Sequence, residues 1–192
     1  MLRLCTSRGI RLGLWGRRAC ARGFTLIELM VTLTILAVLT VVAAPSFNDA
    51  LLSNRLAGVS NSFIASAQLA RSEAIKRNST VRLCRSATGT SCATAGTWQQ
   101  GWIVFHDVNN DGVVDAGEPI LQVQQAAPAD YHFTTTSTGT SYSLKFQAVG
   151  GTADSASLLL CRAAPAGRQE RVIAVSATGR TSVTTTRTGT CA

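Results

Sequence analysis

The sequence has little of what an enzyme active site requires. It contains two histidines, His106 and His132, and neither lies in a motif typical of a metal site or an activated nucleophile. No glycine-rich phosphate-binding loop is present, and the cysteines lack the paired spacing of a zinc site. These absences argue against an enzyme, so we expect no catalytic residue and no tightly bound cofactor.

Acidic residues are missing from the first 23 residues, which hold six arginines. The formal net charge of +8 would otherwise suggest a nucleic-acid-binding protein. Without that first segment, the chain carries 12 basic and 10 acidic side chains. The basic character therefore belongs mainly to a segment typical of membrane targeting, and it says little about binding partners.

The segment that follows, residues 24–44, is apolar apart from one charge, Glu28. A helix of this length spans roughly 30 Å, the thickness of a bilayer core. The positive-inside rule keeps residues 1–23 cytoplasmic and sends the rest of the chain outward. A signal peptide cut after Ala44 and a plain signal anchor are the alternatives. Neither explains Glu28, since a carboxylate there costs about 2–3 kcal/mol.

Residues 22–31 resemble the processing site of type IV pilins and pseudopilins. In that family a prepilin peptidase cuts after the glycine and methylates the new N-terminal residue. The resemblance implies a cut between Gly23 and Phe24, with Phe24 as the mature N-terminus. Glu28 matches the family's glutamate at the fifth mature position, and Pro45 matches its helix-kinking proline.

The physical chemistry of Glu28 favours the same interpretation. Cleavage would create a cationic amine at Phe24, within the apolar layer. Pairing that amine with Glu28 of a neighbouring subunit would relieve two poorly solvated charges and fix the axial register of the two chains. We therefore expect Glu28 to be an assembly residue.

The helix pattern resumes in residues 45–78. Apolar residues recur there in steps of three and four and form one face of an amphipathic helix. They are Leu52, Leu56, Val59, Phe63, Ala67, Ala70 and Ala74. We expect the helix to end near Asn78, before β-branched Thr80 and Val81.

Residues 79–192 change in composition and predict a β-rich domain. Strand-like runs occur at 80–85, 102–106, 120–124, 142–148, 157–162 and 171–177, with a weaker one at 181–186. The threonine-rich residues 134–140 read as exposed strand or loop. The predicted fold class is α+β and type IV pilin-like: a long N-terminal helix, transmembrane in its first half and amphipathic in its second, packed on a small antiparallel sheet domain.

In this region the sequence resembles a smaller group of proteins within the pilins. Residues 70–78, 81–84, 101–105 and 179–180 are similar to the GspH/FimT family of minor pseudopilins and minor pilins, although the likeness thins between 125 and 158. It implies a subunit of a type II secretion pseudopilus or a type IV pilus, acting in filament assembly and protein secretion. Its partners would be other pilins, the prepilin peptidase and the bacterial inner membrane, with the β-rich domain periplasmic. The leader and Glu28 serve both systems, so the choice between them stays open.

Four cysteines lie beyond the leader: Cys84, Cys92, Cys161 and Cys191. An even number in an exported domain suggests two disulfides, and three pairings are available. We favour Cys84–Cys92 and Cys161–Cys191, because each pair consists of neighbours in sequence.

Residues 107–118 match the spacing of an EF-hand calcium loop, with Gly112 at the sharp turn. The candidate ligands are Asp107, Asn109, Asp111, Asp115 and Glu118. The alternative is a hairpin turn, because Asn-Asp-Gly between two strands is strong turn chemistry by itself. No helix pair flanks the segment, so calcium is the less favoured of the two interpretations.

Arginines near the C-terminus indicate a second candidate function, DNA capture by a minor pilin during natural transformation. The FimT branch of the family uses a Gly-Arg-x-Arg motif for this purpose, and residues 179–182 match it without the second arginine. Arg171, Arg180 and Arg187 could still contact phosphates weakly. DNA is therefore a candidate partner but not the favoured one.

Overall fold

A computed structural model describes residues 23–136, 142–149, 151–152, 154–162, 169–186 and 191. The chain divides into two compact units, Met1–Ala43 and Ala44–Ala192, which are described separately below. One helix, α1 (Leu26–Arg77), contributes to both units and precedes all of the strands. Residues 1–22, which form most of the predicted leader, lie outside the described residues.

The described part of the first unit is helical from Leu26 onward, and the apolar side chains of Leu26, Ile27, Leu33 and Leu36 are exposed there. Its threonine hydroxyl groups are satisfied inside the helix. The hydroxyl groups of Thr32, Thr34 and Thr40 donate to carbonyl oxygens three or four residues earlier, at 2.8–3.1 Å. No helix in the described part of the chain meets the length and apolarity needed to cross a membrane.

The second unit contains two four-stranded antiparallel sheets. The first sheet has the order β3-β2-β1-β5 and the second has the order β4-β6-β7-β8. The strands are β1 (Val81–Arg85), β2 (Trp102–His106), β3 (Ile120–Gln124), β4 (Tyr131–Thr135), β5 (Ser143–Phe146), β6 (Ala156–Arg162), β7 (Glu170–Val175) and β8 (Thr181–Thr186). A short 3₁₀ helix, Trp98–Gln100, precedes β2.

The amphipathic stripe of α1 is buried in this unit, as predicted. Leu52, Leu56, Phe63, Ala67, Ala70 and Ala74 are at most 2 % exposed, and Val59 packs against them half-buried. The helix ends as the pattern indicated. Asn78 has a positive φ of 49°, and the N–H groups of Asn78 and Ser79 donate to the carbonyls of Ile75 and Ala74. These two bonds form a Schellman motif, which satisfies carbonyl groups that the last turn leaves free.

An aromatic cluster joins α1 to both sheets. The ring of Phe63 lies edge-on to the rings of Trp98, Trp102 and Phe133, with centroids 5.2–5.5 Å apart. Trp102 belongs to β2 and Phe133 to β4, so one helical side chain contacts both sheets. The indole N–H of Trp102 also donates to the buried Ser66 hydroxyl at 2.9 Å. This cluster is the centre of the core.

The predicted α+β class is confirmed, with differences in the strands. Three predicted strands, 102–106, 120–124 and 181–186, have the observed bounds, while the run 142–148 is shorter and becomes β5. Strand β4 was missed, because its histidine interrupts the apolar pattern and its end merges with the threonine-rich segment. In the structure β4 pairs with β6, which buries Tyr131 and Phe133. Long-range pairing therefore decides this strand.

Candidate functional site

The predicted processing site lies just before α1. Gly23 and Phe24 are exposed and outside the helix, and a Cβ atom added at Gly23 would meet nothing within 4 Å. The preceding residue, Arg22, lies outside the described residues. The Gly23–Phe24 bond is therefore in an accessible, non-helical segment, where a peptidase could reach it.

Glu28 lies in the first turn of α1 and forms a reciprocal cap with Thr25. The Glu28 N–H donates to the Thr25 hydroxyl oxygen at 3.2 Å, and the Thr25 N–H donates to Glu28 Oε2 at 3.5 Å. This arrangement is a capping box. The positive end of the helix dipole also favours a carboxylate here. Sequence reasoning missed the role of Thr25, although the Thr-x-x-Glu spacing was available as a signal.

The four cysteines form the two disulfides that were favoured. Cys84 of β1 is bonded to Cys92, with Cα atoms 5.6 Å apart. Cys161 of β6 is bonded to Cys191, with Cα atoms 5.8 Å apart. The first bond closes a short loop beside the first sheet, and the second connects Cys191 to the second sheet.

Arg85 supports the segment that follows the first disulfide. Its guanidinium donates to the carbonyl oxygens of Gly96 and Thr94 and lies over the ring of Tyr142, 5.8 Å from the centroid. Burial lowers the pKa of Arg85 from its usual value, and Tyr142 acts in the opposite direction. The guanidinium thus connects residues 94–96 to the first sheet.

The predicted calcium loop connects β2 and β3 and is held by its own hydrogen bonds. The side-chain amide nitrogen of Asn109 donates to carboxylate oxygens of Asp111 and Asp115, each at 2.9 Å. The Glu118 carboxylate accepts from the N–H groups of Val108 and Asp115. Asn109, Asp111, Asp115 and Glu118 are thus brought together in one network of turn-type bonds.

Asp107, the first predicted calcium ligand, is used differently. Its side chain is fully buried and forms an ion pair with Arg82, which also donates to Asn110 and Ser143. Across the described residues, no three acidic, histidine or cysteine side chains form a group that could hold a metal ion. Calcium binding stays a prediction.

The predicted DNA-contacting arginines differ in exposure. Arg180 is exposed in the turn between β7 and β8. Arg171 is only 9 % exposed, and its guanidinium donates to the Ser53 hydroxyl at 3.0 Å and to the Glu170 carbonyl. Arg187 lies outside the described residues. Arg171 therefore connects β7 to α1 and does not share the exposed position of Arg180.

These features identify a class of protein first and a family within that class second. Residues 18–44 match the prokaryotic N-terminal methylation motif, and that motif covers Gly23, Phe24 and the capped Glu28. Together with the amphipathic helix packed on antiparallel sheets, the motif identifies a membrane-anchored filament subunit of the type IV pilin class. Residues 59–179, more than half of the chain, match the model for the type II transport protein GspH. The chain belongs to the GspH family.

Solved structures share the fold. The type IV minor pilin FimU of Pseudomonas aeruginosa is similar at a TM-score of 0.54 and 19 % identity, over 69 % of this chain and 90 % of FimU. The minor pseudopilin EpsH from the type 2 secretion system of Vibrio cholerae is similar at a TM-score of 0.50 and 9 % identity, over 68 % of this chain and 96 % of EpsH. No curated protein matches the chain. The predicted placement among GspH/FimT-type minor pilins and pseudopilins is confirmed.

Proposed function

We propose that the chain is a minor subunit of a type II secretion pseudopilus or a type IV pilus, acting in filament assembly and protein secretion. The observation that carries this proposal is the presence, in one chain, of the N-terminal methylation motif and a GspH domain. The role is structural, not catalytic. Its partners are other pilins, the prepilin peptidase and the inner membrane.

The first step is proteolytic processing. The prepilin peptidase cuts the Gly23–Phe24 bond, and methylation of the Phe24 amine follows. The exposure of both residues, and a helix that begins only at Leu26, support this step because the peptidase needs an extended substrate.

The second step is assembly through Glu28. The cap with Thr25 uses Glu28 Oε2, and no hydrogen bond reaches Oε1 from the described residues. The carboxylate can therefore accept the Phe24 amine of a neighbouring subunit while it still caps its own helix. In an apolar layer such a pair is much more favourable than two separate charges.

The orientation follows from charge and redox chemistry. The arginine-rich leader favours a cytoplasmic start, so the β-rich domain is periplasmic. The two disulfides support this assignment, because such bonds persist in the oxidising periplasm.

Two measurements test the proposal. Mass spectrometry of the cellular protein should show a mature chain that begins with methylated Phe24. Glu28→Ala should lower recovery in sheared filaments by about tenfold or more, because an unpaired buried amine costs at least about 1.4 kcal/mol. The matched control is Glu73→Ala, which removes an exposed ion pair with Arg77 and should assemble normally. A chain that starts elsewhere, or normal assembly of Glu28→Ala, would refute the proposal.

A further inference from the structure

A cavity of about 400 Å³ lies in the second unit, between α1 and the segment after β3. The helix contributes Arg55, Gly58, Val59 and Ser62, and residues 124–128 form the opposite wall. Trp102 and Tyr131 complete the lining from the two sheets. The volume falls within the roughly 300–1,000 Å³ range of ligand-binding pockets.

One buried polar group in this lining is unsatisfied. The Tyr131 hydroxyl is buried and has no hydrogen-bond partner among the described residues. Trp102 differs, because its indole N–H is satisfied by Ser66. Buried hydroxyl groups in folded proteins are normally hydrogen-bonded, so the Tyr131 hydroxyl is an exception at the edge of the cavity.

Gly58 is a second unusual feature of the lining. It lies in the middle of α1, where glycine is less favourable than alanine. A Cβ atom added at Gly58 would meet nothing within 4 Å, so packing within the described chain does not require a glycine there. The missing side chain keeps the helical wall of the cavity open.

Charge at the rim narrows the chemistry of the occupant. Arg55 is exposed and forms no ion pair with the part of the chain that the structure describes. The residues that line the cavity include no acidic side chain. The rim therefore complements a carboxylate, while Val59, Trp102 and Pro128 complement an apolar group.

We propose that this cavity receives a segment of a neighbouring pilin subunit that presents an apolar side chain next to a carboxylate. The apolar side chain enters the cavity beside Val59 and Pro128, and the carboxylate pairs with Arg55. A protein segment fits better than a small molecule because Arg55, Gly58 and Gln125 leave one side open to solvent. The inference rests on the proposed function, since it requires a filament neighbour.

The test uses the full-length chain in cells, with a photo-reactive amino acid in place of Gln125 at the cavity rim. Irradiation should give an adduct between this chain and another pilin, identified by mass spectrometry. Arg55→Glu should lower the adduct yield by about fivefold or more, because it reverses the complementary charge. Lys76→Glu, the same reversal at an exposed position near the end of α1, should leave the yield unchanged.

A second variant keeps the test independent of the charge change. Gly58→Leu fills the cavity and should also reduce the adduct, while Gly58→Ala reports the effect of helix propensity alone. Thermal unfolding followed by tryptophan fluorescence confirms that each variant is folded.

The recovery of the chain in sheared filaments separates the two proposals. Chain present in filaments without an adduct overturns the cavity inference alone. Chain absent from filaments and without an adduct overturns both. An adduct that Arg55→Glu leaves unchanged, or one with a small molecule in place of a pilin, also overturns the cavity inference.

Discussion

At the scale of single residues, Glu28 illustrates how one carboxylate can serve two purposes. Its hydrogen bonds with Thr25 cap the start of the helix, and in the proposed assembly its charge would pair with an amine from another chain. The two purposes are compatible because a carboxylate has two oxygens and about four lone-pair sites. The cap also explains how the acid is held at the helix start before any neighbour arrives.

Asp107 provides the sharpest prediction at this scale. Asp107→Ala should lower the free energy of unfolding by about 3–5 kcal/mol, because it leaves the partly buried Arg82 cation without its ion-pair partner. The measurement is urea unfolding of the purified full chain, followed by tryptophan fluorescence. Asp111→Ala is the control, since Asp111 is exposed and its loss should cost less than about 1 kcal/mol. Equal losses for the two variants would contradict the structural role given to Asp107.

At the scale of elements, the contact between α1 and the sheets depends on Phe63. Phe63→Ala should destabilise the fold by about 3–5 kcal/mol, because it removes a fully buried ring that touches three other aromatic rings. Thermal unfolding of the full chain measures the loss. Ile75→Ala, on an exposed position of the same helix, should have little effect. A Phe63 variant as stable as the parent would show that the helix is held elsewhere.

The disulfides allow a second prediction about elements. Removal of Cys161–Cys191 should destabilise the chain by about 3–4 kcal/mol, and removal of Cys84–Cys92 by about 2–3 kcal/mol. Cys161–Cys191 closes a separation of 30 residues and Cys84–Cys92 one of 8, so Cys161–Cys191 restricts the unfolded chain more.

Paired cysteine-to-alanine variants, compared by denaturant unfolding without reductant, measure this difference. The reverse order of stabilities would show that packing around each bond outweighs loop closure.

At the scale of the whole molecule, the charge distribution bears on the DNA alternative. Beyond the leader, the basic and acidic residues nearly balance, and Arg171 is buried against α1. We expect the mature chain to bind DNA only weakly, and this binding should disappear by about 150 mM salt.

A gel shift at low and physiological salt, with Arg180→Ala for comparison, measures this binding. Strong binding at physiological salt that Arg180→Ala abolishes would favour DNA capture over the proposed structural role.

Local patterns predicted much of the fold. The periodicity in residues 52–74 located the buried face of α1, and the β-branched residues Thr80 and Val81 located its end, because both signals depend on neighbouring residues. The runs that became β2 and β3 were also visible, and the run that became β8 was visible as a weaker pattern. Strand β4 was not visible, since Tyr131 and Phe133 are buried only when β4 pairs with β6.

For the candidate site too, some features could be predicted from the sequence and others required the tertiary structure. The sequence by itself determined the processing motif, Glu28, the order of the helix and of every strand except β4, and the favoured pairing of the cysteines, because each rests on a pattern of neighbouring residues. Only the tertiary structure decided that the strands form two sheets, that Arg171 and Asp107 are buried, and that Tyr131 lines a cavity. Burial and pairing depend on contacts between residues far apart in sequence, and no local pattern records those contacts.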